Sequence, residues 1–141
     1  MRPVITTAIT ALMLSSCLNG EESIYHDIPA EGWSYANALT FDLKPGDGEL
    51  LVGIRHDTTY PYSNLWLEIS DNAGSRPDTV EITLCDNFGR WLGNGFGGSY
   101  QLETPVKRAC HVDSATIFKV RHIMRIDTIH GIDQLGLHLA P

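Results

Sequence analysis

The chain is poor in positive charge, in cysteine and in long apolar runs, and each shortage removes a class of protein. Ten Lys and Arg stand against seventeen Asp and Glu, a net charge of −7, and the basic residues do not cluster. Nucleic-acid backbones and anionic lipid surfaces are held by grouped cations, so this charge pattern argues against both as partners. No stretch reaches the roughly 20 apolar residues that a membrane-spanning helix needs. The three cysteines include no CxxC pair, which leaves thiol redox catalysis without support. Convincing helical periodicity is missing too, as is any internal repeat of about 20–50 residues, so helical bundles, solenoids and propellers are not expected.

Catalytic signatures are also scarce. The six histidines, His26, His56, His111, His122, His130 and His138, are scattered. None has the spacing of a zinc helix or a Cys/His knuckle. His56-Asp57 and His130-Gly131-Ile132-Asp133 carry suitable donor atoms, but a metal needs three or four donors converging in space. Hydrogen bonding at strand ends is the expected role of these rings. No GxSxG elbow presents a serine, and Gly93-Asn94-Gly95-Phe96-Gly97-Gly98 lacks the Lys-Ser/Thr ending of a phosphate loop. The plentiful acids read as a solvated surface rather than as a glycosidase pair. The expectation is a non-enzyme with no catalytic residue, no cofactor and no metal.

What is present begins at the N-terminus. Met1-Arg2 supply a positive start, Pro3 to Leu14 an apolar stretch, and Leu14-Ser15-Ser16-Cys17 a small-residue approach to a cysteine. The run reads as an export signal, and its end resembles the lipobox of bacterial lipoproteins, cut immediately before a cysteine that carries diacylglycerol. The expected organisation is a signal peptide over 1–16, a lipidated linker over 17–23 and one folded domain over 24–141. Removing the leader takes Arg2 away and leaves 125 residues with nine basic and seventeen acidic side chains, a net charge of −8. That is enough chain for a real core. The membrane is then a partner through acyl chains alone, and two or more chains make the attachment stable. With Cys17 used for lipid, Cys85 and Cys110 remain. In an oxidising compartment they either form a disulfide closing about 24 residues or sit apart as small buried thiols.

Along the domain the apolar residues alternate with period two. Leu39-Phe41-Leu43, Leu50-Val52-Ile54-His56, Leu65-Leu67-Ile69, Val80-Ile82-Leu84, Phe118-Val120-His122-Met124 and Leu135-Leu137-Leu139 mark strands. Lys44 to Gly48, Asp57 to Pro61, Asp71 to Asp78 and Gly131 are turns. The glycines from Gly89 to Gly98 predict irregular backbone with positive φ angles, and Ser99–Val112 is read as a connection to the next strand. Seven or so short strands with turns between them predict an all-β, antiparallel, jelly-roll-like β-sandwich.

Aromatic residues gather in and beside loops, where a rigid scaffold presents side chains for recognition. Tyr60, Tyr62, Trp66 and Trp91 are the candidate partner contacts. Trp66 is the best of them, since it alternates away from Leu65, Leu67 and Ile69. Trp91, bracketed by Gly89 and Gly93, is more simply a loop anchor packed on the core. Arg55 and Arg125 are given no role.

Several motifs occur together in order: Tyr25-His26-Asp27-Ile28-Pro29 with Gly32-Trp33, Arg55-His56, Tyr60-Pro61-Tyr62-Ser63-Asn64-Leu65, Gly89-Arg90-Trp91-Leu92-Gly93-Asn94-Gly95-Phe96-Gly97, Met124-Arg125, Gly131-Ile132 and Gly136-Leu137. With the lipobox, this series resembles the gliding-motility lipoprotein GldH family of the Bacteroidetes over nearly the whole mature chain. The resemblance implies a cell-envelope protein tied to gliding and to the associated export machinery. It brings no catalytic residue, cofactor or substrate. The function expected is a non-catalytic interaction subunit docking to other envelope proteins; the alternative is an envelope glycan-binding module. The outer membrane, with the domain facing the periplasm, is the expected location, and surface exposure is the other option.

Overall fold

A computed structural model describes residues 24–141. The leader, Cys17 and the linker to residue 23 lie outside the described residues. Among those described there is no helix, and eleven strands follow in order: β1 (Ile24–Asp27), β2 (Trp33–Ser34), β3 (Leu39–Phe41), β4 (Gly46–Asp57), β5 (Asn64–Asp71), β6 (Asp78–Thr83), β7 (Asn94–Phe96), β8 (Ser99–Val112), β9 (Phe118–His122), β10 (Thr128–Ile129) and β11 (Ile132–Ala140). A five-stranded sheet has the order β1-β11-β4-β8-β7, and a four-stranded sheet the order β3-β9-β5-β6. β10 and β2 form a small pair. Every pairing is antiparallel.

The period-two pattern sets the architecture. Successive side chains of a strand point to opposite faces, so Leu50, Val52 and Ile54 enter the core from β4 beside Leu135 and Leu137 of β11. Leu65, Leu67 and Ile69 of β5, with Phe118 and Val120 of β9, meet them from the second sheet. All belong to one buried cluster, with Trp33, Phe41 and Leu84. Each such side chain contributes about 1.5–3 kcal/mol on burial, against the entropy of ordering the chain. The sandwich expected from the sequence is therefore the fold observed.

The short strands β1, β2, β7 and β10 go beyond those marked in the sequence, and the longer strands differ from expectation in three places. Ser99–Val112, read as a connection, is β8, the longest strand at 14 residues. Its alternation is muted because Tyr100, Leu102, Thr104 and Val106 are only half-buried. Pro105 pairs with Leu51 where the register shifts, and β7 covers only Ser99–Gln101. Proline is tolerated there because a bulge and an open edge require no N–H from it. Second, the turn expected over Lys44 to Gly48 is half strand, since β4 begins at Gly46. A Cβ at Gly48 would overlap the Ala140 carbonyl oxygen, so glycine is needed for the approach of the two backbones. Third, β9 ends at His122 rather than running on to Met124. The glycine-rich stretch contains ordered backbone as well: Gly97 and Gly98, at φ 60 and 82, form the two-residue loop joining β7 to β8, the geometry that suits a twisted hairpin.

Candidate functional site

The outer face of the four-stranded sheet holds the groove in which the predicted contact residues begin to converge. Asn64, Trp66 and Glu68 alternate outward from β5 while Leu65, Leu67 and Ile69 go in. β5 pairs with β9 as far as Leu67↔His122. One further bond, from Ile123 N–H to the Trp66 carbonyl, ends the ladder, and the chain then turns away. The Trp66 N–H, deprived of a strand partner, donates to the Met124 thioether at 3.3 Å. This divergence opens a groove of about 500 Å³ lined by Tyr62, Asn64, Trp66, Ile123, Met124, Arg125 and Ile126. Trp66 is 38% and Ile126 42% exposed, so two large apolar side chains open to solvent in one groove. Polar groups rim it: the Asn64 amide donates to Glu81 at 2.9 Å, and Arg121 pairs with Glu68 at 2.8 Å. Arg125 is exposed and makes no hydrogen bond or ion pair with the described residues.

The four aromatic candidates separate. Trp66 and Tyr62 share the groove. Tyr60 does not, because it is 2% exposed: its hydroxyl donates to the Asn64 carbonyl at 2.6 Å, and its ring meets Tyr62 edge-on at 5.6 Å. Burial, then the neighbouring Tyr62, push its phenol well above the usual range. Tyr60 holds the groove wall from behind and cannot itself meet a partner. Trp91 is half-buried elsewhere, bridged to Cys85 and packed on the His56 ring at 4.7 Å, the anchor position its glycine neighbours suggested. Met124, Arg125 and Ile126 were missed as groove residues. The exposed Ile126, two residues past an apolar Met124, was the available signal, hidden by reading the segment as strand.

Cys85 and Cys110 are both free thiols, Cys85 half-buried and Cys110 buried. Of the two arrangements open to them from the sequence, separate thiols rather than a disulfide describe the structure. Burial raises the Cys110 pKa, which suits an inert core group. No three His, Cys, Asp or Glu side chains converge to hold a metal among the described residues. His122 behaves as a strand-end hydrogen-bonding ring, with Nε2 on the Trp33 carbonyl at 2.8 Å and on the Asp127 carbonyl at 3.0 Å. The Met124 N–H donates to its Nδ1 at 3.3 Å, so the ring is neutral with its proton on Nε2 and ties the groove wall to the core.

A family model described as GldH lipoprotein matches residues 22–139. The chain belongs to the GldH lipoprotein family. Among curated relatives of this GldH-type chain, a gliding motility lipoprotein GldH homolog from Christiangramia forsetii is 28% identical over 147 residues, covering 92% of this chain and 90% of the relative. The gliding motility lipoprotein GldH of Flavobacterium johnsoniae is 29% identical over 97 residues, covering 62% of this chain and 60% of that protein. No solved structure matches. The resemblance read from the motifs is thus the family found by comparison.

Proposed function

We propose that this GldH-family chain is a lipid-anchored, non-catalytic interaction subunit of the cell envelope, serving gliding and the associated export machinery. Signal cleavage before Cys17 and acylation of its thiol supply the anchor. Six residues separate Cys17 from Ile24, and the seven steps between them reach at most about 25 Å, so the β1 edge of the five-stranded sheet stays close to the bilayer. The outer membrane, with the domain in the periplasm, is the location this reading favours.

The observation that carries the proposal is the Trp66 groove. A half-exposed tryptophan beside Tyr62, Met124 and Ile126, rimmed by Asn64 and Arg125, has the apolar centre and polar border of a protein interface. A photoreactive residue placed at Ile126 of the full-length protein, activated in intact cells and followed by purification, is expected to capture envelope proteins. Trp66→Ala is expected to abolish that capture. Recovery of lone monomer under conditions that preserve other envelope complexes would sink the reading.

One observation favours a second reading: two aromatic rings share a groove with Asn64 and Arg125, the surroundings a sugar ring uses. A glycan array probed with the full-length protein in detergent tests it, and silence at millimolar ligand removes it.

A further inference from the structure

The outer face of the five-stranded sheet carries a second constructed feature, remote in sequence from the Trp66 groove. Register places Gln134 of β11 beside Arg55 of β4, Arg55 beside Gln101 of β8, and Gln101 beside Asn94 of β7. Four polar side chains thus form one row across four strands. Arg55 is its centre. Its Nε donates to the Gln101 amide oxygen at 3.2 Å, one Nη to the Gln134 amide oxygen, and its guanidinium carbon lies 4.0 Å from the centre of the Tyr25 ring. That ring lies against two glycines: a Cβ at Gly53 would overlap the Tyr25 hydroxyl, and one at Gly136 would fall 2.8 Å from the ring.

The chemistry of this arrangement is specific. The guanidinium is held by two neutral oxygens and a ring, and among the described residues no carboxylate pairs with it. Its second Nη has no acceptor there. The nearest acids of the same face are engaged by others: Asp27 accepts from the Gln134 amide at 2.6 Å, Asp57 accepts from the Thr59 N–H at 2.8 Å, and Glu103 lies 3.3 Å from His138 Nδ1. Positioning an arginine through neutral amides leaves its charge without a carboxylate partner and its second Nη oriented to donate to one, a charge-assisted contact. Beside it, Arg55, Asn94, Gly95, Phe96, Ser99, Tyr100 and Gln101 line a depression of about 360 Å³. Phe96 is 93% exposed, and the Asn94 amide has no partner among the described residues.

We propose that this depression is a receptor for a carboxylate side chain of a partner protein, carried next to an apolar residue that covers Phe96. The inference rests on the interaction-subunit reading and adds a second docking face with defined chemistry. A protein segment is favoured over an acidic glycan because Phe96 is the one bare ring here. The Tyr25 face is covered by Arg55 on one side and backed by glycines on the other, which leaves no stacking platform.

The test is a display library of random hexapeptides selected on the full-length protein in detergent micelles, in parallel with Arg55→Gln. Asp or Glu next to an aromatic or aliphatic residue is expected to be enriched at least tenfold on the natural protein and not on the variant. The best peptide should bind about tenfold more weakly when its acid becomes the amide, the value of one charge-assisted contact. Asn94→Ala and Phe96→Ala, which remove exposed side chains, should each weaken it about threefold or more, and they decide the matter if Arg55→Gln fails to fold. Enrichment indifferent to Arg55, absence of acidic enrichment, or binding of oligogalacturonate in place of peptides would overturn the proposal. Photo-crosslinking from Ile126 is independent of these residues, so failure here leaves the Trp66 reading standing, and the reverse holds.

Discussion

His122 Nε2 sits 2.8 Å from the Trp33 carbonyl, with the two rings edge-to-face at 5.2 Å and both side chains buried. One imidazole thereby joins β9 to β2 and, through Asp127 and Met124, to the segment that shapes the groove.

This pair predicts a pH dependence. Burial holds the His122 pKa below its ordinary 6.5, against an opposing pull from the Trp33 and Asp127 carbonyls. Below about 6.5 the unfolded chain takes a proton that the native state refuses. The ring's contribution is therefore complete above that pH and declines as the pH falls through it towards the lower folded value. Urea denaturation of His122→Gln should show a loss of about 1–3 kcal/mol at pH 8 that shrinks towards pH 5. A pH-independent difference would contradict the assignment.

Two glycines separate backbone strain from steric exclusion. Gly74 has φ +78 with nothing within 4 Å of an added methyl, whereas Gly131 has φ +94 and the same methyl there would overlap the Tyr60 backbone nitrogen. Gly74→Ala should cost the left-handed penalty alone, about 1–2 kcal/mol. Gly131→Ala should exceed it by about 1–3 kcal/mol through overpacking. Chemical denaturation of the two variants checks the order.

The tryptophans should divide by role. Trp33 is 1% exposed and donates its indole N–H to the Asn37 carbonyl at 2.8 Å, so Trp33→Ala should destabilise by about 3–5 kcal/mol. Trp66→Ala should stay within about 1 kcal/mol of the natural protein while losing partner capture. Thermal melts beside the crosslinking assay measure both.

Because both domain thiols are free, reductant should leave the denaturation midpoint unchanged. Thiol titration of the unfolded chain should find Cys85 and Cys110 reactive without prior reduction. A midpoint falling on reduction would show a bridge after all.

The strands with clean alternation, such as Leu50-Val52-Ile54 and Leu65-Leu67-Ile69, were legible because each buries one face only. β8 was not, because its apolar side is half-covered and Pro105, Lys107 and Arg108 break the pattern. The candidate site was legible in part for a similar reason. Trp66 announces itself by opposing three leucine or isoleucine neighbours, and Tyr62 is found beside it. Tyr60 shares that aromatic, loop-side context, yet it is buried where Gly131, 71 positions away, closes against its backbone.

Local order thus determined the kind of structure: alternation and turn residues are properties of neighbouring positions and suffice for an antiparallel sandwich, while the ordered series of short motifs points to the GldH family. Tertiary structure alone decided what those strands expose. Whether two thiols meet, whether a ring is wall or contact, and whether Arg55 is framed by Gln101 and Gln134 all turn on pairing between distant strands. A register shift of one residue would reverse each face, and that register is chosen by the packing of the whole core.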